Sequence, residues 1–165
     1  MVERVDVGMG HYEVAEVPIV LSTRGLGPCI GIVIYDKISR RGYLAHSDGL
    51  DLTAVRKVVE IATEGQGKRI LRAVVSGGSK VDKIPERYSY QNGNISREDY
   101  ERALEERDQG NAQLEAVRAE LLESLRKREI RVRNRLATMS DRVSSLRLYT
   151  TDGRMIVEEC WSCWR

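Results

Sequence analysis

Apolar positions along this chain fall mostly in short alternating runs and lengthen to helical spacing in only a few places. Val2 to Val7 and Tyr12 to Leu21 read as extended segments, with Gly8 and Gly10 between them and Pro18 marking an edge or an irregular start. Ile30, Ile32, Val33, Ile34 and Tyr35 form a run of β-formers, Asp36 to Arg41 a polar turn, and a second short strand ends at His46, which predicts a hairpin. Behind Asp51, a good cap, Leu52, Val55, Val58, Val59 and Ala62 recur at helical spacing until Gly65 and Gly67 stop the helix. Ile70 to Val75 is another strand, closed by Ser76, Gly77 and Gly78. Ser96 and Asp99 have the spacing of a capping box that opens a charged helix to about Asp108, and Asn111 caps an amphipathic helix with Leu114, Val117, Leu121 and Leu125 on one stripe. In the segment Arg126 to Arg135, Arg131, Arg133 and Arg135 alternate with the residues between them and would share the solvent face of a strand. Leu146 to Tyr149, a Thr-Asp-Gly turn and Met155 to Val157 read as a closing hairpin. The fold class expected is α+β, with mixed, largely antiparallel β-sheets and two main flanking helices.

Composition narrows this reading rather than changing it. A chain of 165 residues suits one domain, residues 1–165, and 41% hydrophobic with 32% charged residues is ordinary for a soluble globular protein. A net charge of +2 is too small to argue for nucleic acid, and the arginine segment has no interleaved aromatic platform, so no nucleic-acid partner is expected. No apolar run approaches the length that spans a bilayer, and the opening MVERVDVG lacks a basic stretch followed by a long apolar one. A cytoplasmic protein without membrane insertion is the expectation, and an odd count of three cysteines fits a reducing compartment. Cys160 and Cys163 have Cys-x-x-Cys spacing but no second ligand pair, so the expectation is no metal and no cofactor.

The candidate chemistry sits in the first hairpin. If Asp36 to Arg41 form its loop, Tyr35 faces Gly42, Gly31 faces His46 and Cys29 faces Asp48, which makes Cys29 and His46 diagonal neighbours on one face. An imidazole beside a thiol can take its proton and leave the thiolate, which attacks carbonyl carbon, so the thiol is expected to ionise more readily than an ordinary one. Gly25, Gly27 and Pro28 allow a sharp approach and a set of backbone N–H groups aimed at an oxyanion, and Thr23 is the candidate third member that holds the imidazole. Set beside this is the plain reading of Cys29 as a small buried hydrophobe. Asp48 either orients a substrate amine or fixes the turn with Ser47, and Ser76, Gly77 and Gly78 either admit a ligand or make a turn. His11 lies in a turn and is left out of the site.

The run VGMGHYEVAEVPIVLSTRGLGPCIGIVIYD, followed by RRGYLAH, resembles the N-terminal half of the CheD family, the chemoreceptor glutamine deamidases. The family's Gly-x-Gly opening matches Gly8 and Gly10, and its nucleophile motif matches Thr23, Gly25, Leu26, Gly27 and Cys29. His46 stands seventeen residues after Cys29, the family's separation. VVSGGSK resembles the family's Gly-Gly strand end, Gly110-Asn111 its Gly-x-x-Asn helix start, and YTTDGRMIV its closing hairpin. Against that pattern, the stretch at about 79–109 looks like an insertion. Pro28 stands where the family has Ser, and Ser-Asp-Gly-Leu-Asp follows His46 where an apolar Met-Leu-Pro is usual. The run LAHSDGLD is similar instead to protein N-terminal asparagine amidohydrolases.

The resemblance implies the layered cysteine-hydrolase fold and hydrolysis of a protein glutamine carboxamide, with Cys29 as nucleophile, His46 as base and acid and Thr23 orienting His46. Gly27, Asp48, Ser76, Gly77 and Gly78 are the expected substrate-binding set. The expected partner is a protein substrate, chemoreceptor-like or another glutamine-bearing protein, together with a regulatory protein. An amidase for N-terminal asparagine or glutamine, and a binding module that regulates a partner without turnover, are the alternatives.

Overall fold

A computed structural model describes residues 3–64, 69–81, 95–137 and 142–161, with only the backbone at the last two positions. The elements run β1 (Glu3–Asp6), β2 (His11–Ala15), β3 (Ile19–Leu26), β4 (Ile30–Asp36), β5 (Arg41–Ser47), α1 (Thr53–Thr63), β6 (Leu71–Gly77), α2 (Arg97–Lys127), β7 (Arg131–Leu136), β8 (Arg142–Tyr149) and β9 (Arg154–Trp161). They form a four-stranded sheet in the order β1-β3-β8-β9 and a five-stranded sheet in the order β2-β5-β4-β6-β7. Among the described residues only β1–β3 and β6–β7 pair in parallel, so the sheets are mixed and mostly antiparallel, and the class is α+β.

The layering follows from strand alternation. On the five-stranded sheet, Ile30, Ile32, Ile34, Tyr43 and Ala45 pack under α1 and the second half of α2. The opposite side chains, Val33, Tyr35, Leu44 and Val74, meet Leu21, Leu26, Leu146 and Leu148 of the other sheet. The molecule is thus two sheets and one helical layer, and β4 is buried along its whole length in the middle. Each large aliphatic side chain fully buried there contributes about 1.5–3 kcal/mol relative to exposure.

Local outcomes differ from the sequence reading in four places. Tyr12 to Leu21 is not one extended segment: it breaks before Pro18, and β2 and β3 join different sheets. The first hairpin's loop is shorter than six residues, because Asp36 pairs with Arg41 and the Asp36 carboxylate accepts from Ile38 N at 2.9 Å and the Ser39 hydroxyl at 2.8 Å. Leu52, rather than Asp51, is the cap of α1, and the Asp51 carboxylate accepts from Thr53 N at 2.9 Å from one position outside. The two helices expected around Gly110-Asn111 are one helix of 31 residues.

Ser96 does open that helix, its hydroxyl accepting from Asp99 N at 3.1 Å. The Asn111 side chain caps nothing: it accepts from Val81 N at 2.9 Å and donates to Val81 O at 3.0 Å, holding the chain beyond β6 like a short piece of strand. Of the expected insertion, 97–109 is the first half of α2, with no buried residue before Leu114, and 82–94 lies outside the described residues. Gly65, Gly67 and Cys163 lie outside them as well. No helix among the described residues is long and apolar enough to cross a membrane.

Candidate active site

The two sheets are joined at one end by a hydrogen-bonded chain through an imidazole. His46 in β5 lies opposite Gly31 in β4 and faces the other sheet, where Thr23 of β3 meets it. The Thr23 hydroxyl donates to the Val7 carbonyl at 2.7 Å and lies 2.8 Å from His46 Nδ1. A hydroxyl has one proton, and here it goes to a group that only accepts, so Nδ1 must carry the ring proton and donate. That assigns the tautomer and leaves Nε2 as a bare lone pair. Nε2 is buried and has no hydrogen-bond partner among the described residues, the Cys29 thiol included. Burial holds the His46 pKa below the ordinary value, with the Val7 carbonyl only opposing it, so the ring rests neutral.

Cys29 is placed by its backbone. Its carbonyl accepts from Gly78 N at 2.8 Å, and a Cβ on Gly77, at φ +90°, would collide with that same carbonyl oxygen. Gly27 O accepts from Ser79 N at 2.8 Å, and Gly49 lies so close to the Pro28 carbonyl that no side chain fits between them. The Cys29 turn is therefore clamped from both neighbouring strand ends. It leaves β3 through a break in pairing after Thr23, where Gly25 takes φ +76°.

The hairpin register is Tyr35 opposite Gly42 and Gly31 opposite His46, but the ladder ends at Ile30 and Ser47, so Cys29 and Asp48 lie just beyond it and not as a pair. The Cys29 thiol is half-buried, packs against the core between the sheets, and lies 3.6 Å from the Met9 thioether. Burial raises its pKa, the Asp48 carboxylate raises it further, and its own backbone N–H opposes them. These surroundings run against the expected readily ionised thiol: burial and a nearby anion both disfavour the thiolate, as burial disfavours the imidazolium. The expected row of amide donors is also reduced, since Pro28 has no N–H and Gly27 N donates to Gly25 O at 2.9 Å.

Asp48 is exposed, and one of its oxygens accepts from Leu50 N at 2.9 Å, so it fixes the turn while its charge reaches the thiol. The Ser47 hydroxyl accepts from Val55 N at 3.1 Å inside α1. Ser76 is fully buried, with its hydroxyl 2.8 Å from that of Ser144 in β8, a tie between the sheets rather than a group open to a ligand. Gly77 and Gly78 serve the Cys29 backbone. Nothing in the sequence pointed to Val7 or Gly49 as neighbours of these residues. Gly8 and Gly10 flank Met9 and were the available signal for that loop, which Gly10 N ties to His46 O at 2.7 Å. No cluster of three or more metal-ligating side chains exists among the described residues.

No family model matches this chain. It is similar to a probable chemoreceptor glutamine deamidase CheD of Desulfitobacterium hafniense, 32% identical over 95 residues, covering 49% of this chain and 59% of the relative. The CheD protein of Haloarcula marismortui is 33% identical over 91 residues, covering 47% and 53%. That of Thermococcus kodakarensis is 49% identical over a shorter 43 residues, covering 26% and 27%. The chain spans about half the length of the first two relatives. Together these matches support a CheD-family assignment.

Proposed function

We propose that this chain is a cysteine-dependent amidohydrolase that converts glutamine side chains of a protein, chemoreceptor-like in the sense of its relatives' names, to glutamate with release of ammonia. The observation that carries the reading is the buried, unpartnered Nε2 of His46, fixed as an acceptor by the Val7–Thr23–Nδ1 chain on the face that also bears Cys29. In the first half-reaction Nε2 takes the Cys29 proton as sulfur bonds to the amide carbon. The tetrahedral intermediate collapses as the C–N bond breaks, and Nε2–H protonates the leaving nitrogen, which departs as ammonia. In the second, Nε2 takes a proton from water as its oxygen attacks the thioester. The C–S bond breaks, the proton returns to sulfur and glutamate leaves.

Since burial disfavours charge on both thiol and imidazole, we take proton transfer to occur in step with attack. The Cys29 N–H interacts with its own sulfur and is the candidate donor for the oxyanion.

Asp48 favours a second reading. A carboxylate close enough to shift the thiol suits a free α-ammonium, as an amidase for N-terminal asparagine or glutamine would need. Ammonia release from peptides carrying the same residue internally, at an acetylated N-terminus and at a free N-terminus tests both. Turnover of internal glutamine that disappears in Cys29→Ala and His46→Ala is the expected result. Preference for the free N-terminus, lost in Asp48→Asn, would replace it with the amidase. No ammonia from any peptide would leave a binding module.

A further inference from the structure

We infer that the arginine row of β7 is a docking strip for an acidic stretch of the protein substrate, in the same chain as its target glutamine. The inference rests on the proposed deamidation. Arg131, Arg133 and Arg135 are exposed on the edge strand of the five-stranded sheet. They stand opposite Arg72, Val74 and Ser76 of β6. Val74 belongs to the core between the sheets and Ser76 bonds to Ser144 across it, so the arginines project on the face shared by His46 and Cys29. Many other surface arginines have carboxylate partners, as in Arg56–Glu120, Arg97–Glu101 and Arg142–Glu159. These three make no ion pair among the described residues, although the chain holds 25 acidic residues against 27 basic ones.

Register sets the reach. His46, Gly31, Ser76 and Arg135 form one row across four strands, and because the other sheet covers Gly31 and Ser76, a bound peptide has to pass round that covered stretch. At about 4.8 Å per strand, Arg135 is roughly 14 Å from His46, with Arg133 and Arg131 receding along β7. An extended peptide advances about 3.3 Å per residue, so that straight line is a lower bound of about four residues, and carboxylates roughly five to eight residues from the glutamine meet Arg135 and later ones the rest of the strip. The strand RVRNRL has no aromatic on which a base would stack, which favours an acidic protein segment over a single-stranded nucleic acid.

The test uses the full chain carrying Cys29→Ala, so that nothing turns over, and fluorescent acetylated peptides with one central glutamine followed at the stated spacing by glutamates, serines or lysines. The glutamate peptide should bind at least about tenfold more tightly than the serine peptide at low salt, an advantage that shrinks at high salt. R131E/R133E/R135E should reverse the order in favour of lysine. R133Q alone, checked for an unchanged melting temperature, should lose about threefold. Equal binding of the glutamate and serine peptides, a reversed variant that still prefers glutamate, or oligothymidine bound as tightly as the glutamate peptide would overturn the strip. Deamidation without glutamate preference, by the chain with Cys29 intact, would sink the strip and keep the enzyme. Glutamate-selective binding with no ammonia from any peptide would sink the enzyme and keep the strip.

Discussion

Replacing Thr23 by valine keeps the side-chain shape and removes one hydroxyl, and that hydroxyl holds two partners. Val7 O loses its donor and His46 Nδ1 its acceptor, so nothing selects the tautomer with a free Nε2. We expect a loss in kcat on the order of a hundredfold with KM little changed, and recovery in Thr23→Ser. Steady-state ammonia release measures both. The thiol supplies a pH prediction. A folded-state pKa raised above the ordinary value of about 8.5 leaves less than roughly a tenth of Cys29 as thiolate at pH 7.5. Alkylation should therefore be slow at neutral pH and rise as pH passes above that value. Asp48→Asn should speed it about two- to fourfold at pH 7.5 by removing the second cause of the shift. Fast alkylation near pH 6.5 that ignores Asp48 would mean a resting thiolate–imidazolium pair. The placement of His46 opposite Gly31 was legible because strand alternation has a fixed period and the pairing needed only one loop position. Val7 and Met9 were not legible, because parallel pairing of β1 with β3 and folding of the β1–β2 loop onto the thiol are encoded by no local period.

Two glycines, each at an element boundary in the sequence reading, have opposite fates in the fold. Gly77 ends β6 at a positive φ, with the Cys29 carbonyl where its side chain would be. Gly77→Ala should cost about 2–4 kcal/mol and shift the Cys29 turn. Gly110 lies inside α2 with open space around it, so Gly110→Ala should stabilise by about 0.5–1 kcal/mol. Urea titration of both variants checks the pair of signs. Asn111 shows why the helix boundary was misjudged. Asparagine favours caps when its side chain is free to bond the nearby backbone, and here that side chain is occupied by Val81, a contact thirty residues away in sequence.

At the level of the molecule, periodicity was sufficient for the class of each layer but not for which strands share a sheet. β2 and β3 are consecutive, yet each finds its neighbours elsewhere: β2 beside β5, and β3 between β1 and β8. The sequence expressed this division only as Pro18, which could not show where either strand would go. Thr23 comes from one sheet and His46 from the other, so the aligned pair exists only when the two are docked. Leu146 and Leu148 of β8 close over Gly31 and Gly42, which have no room for a side chain. Time during synthesis is the consequence. Thr23 pairs with Leu146, more than a hundred residues later in the chain, and at cellular elongation rates on the order of ten seconds separate the two. Through that interval a growing polypeptide carries its thiol and imidazole beside a half-built sheet, in which β3 still lacks its neighbour β8.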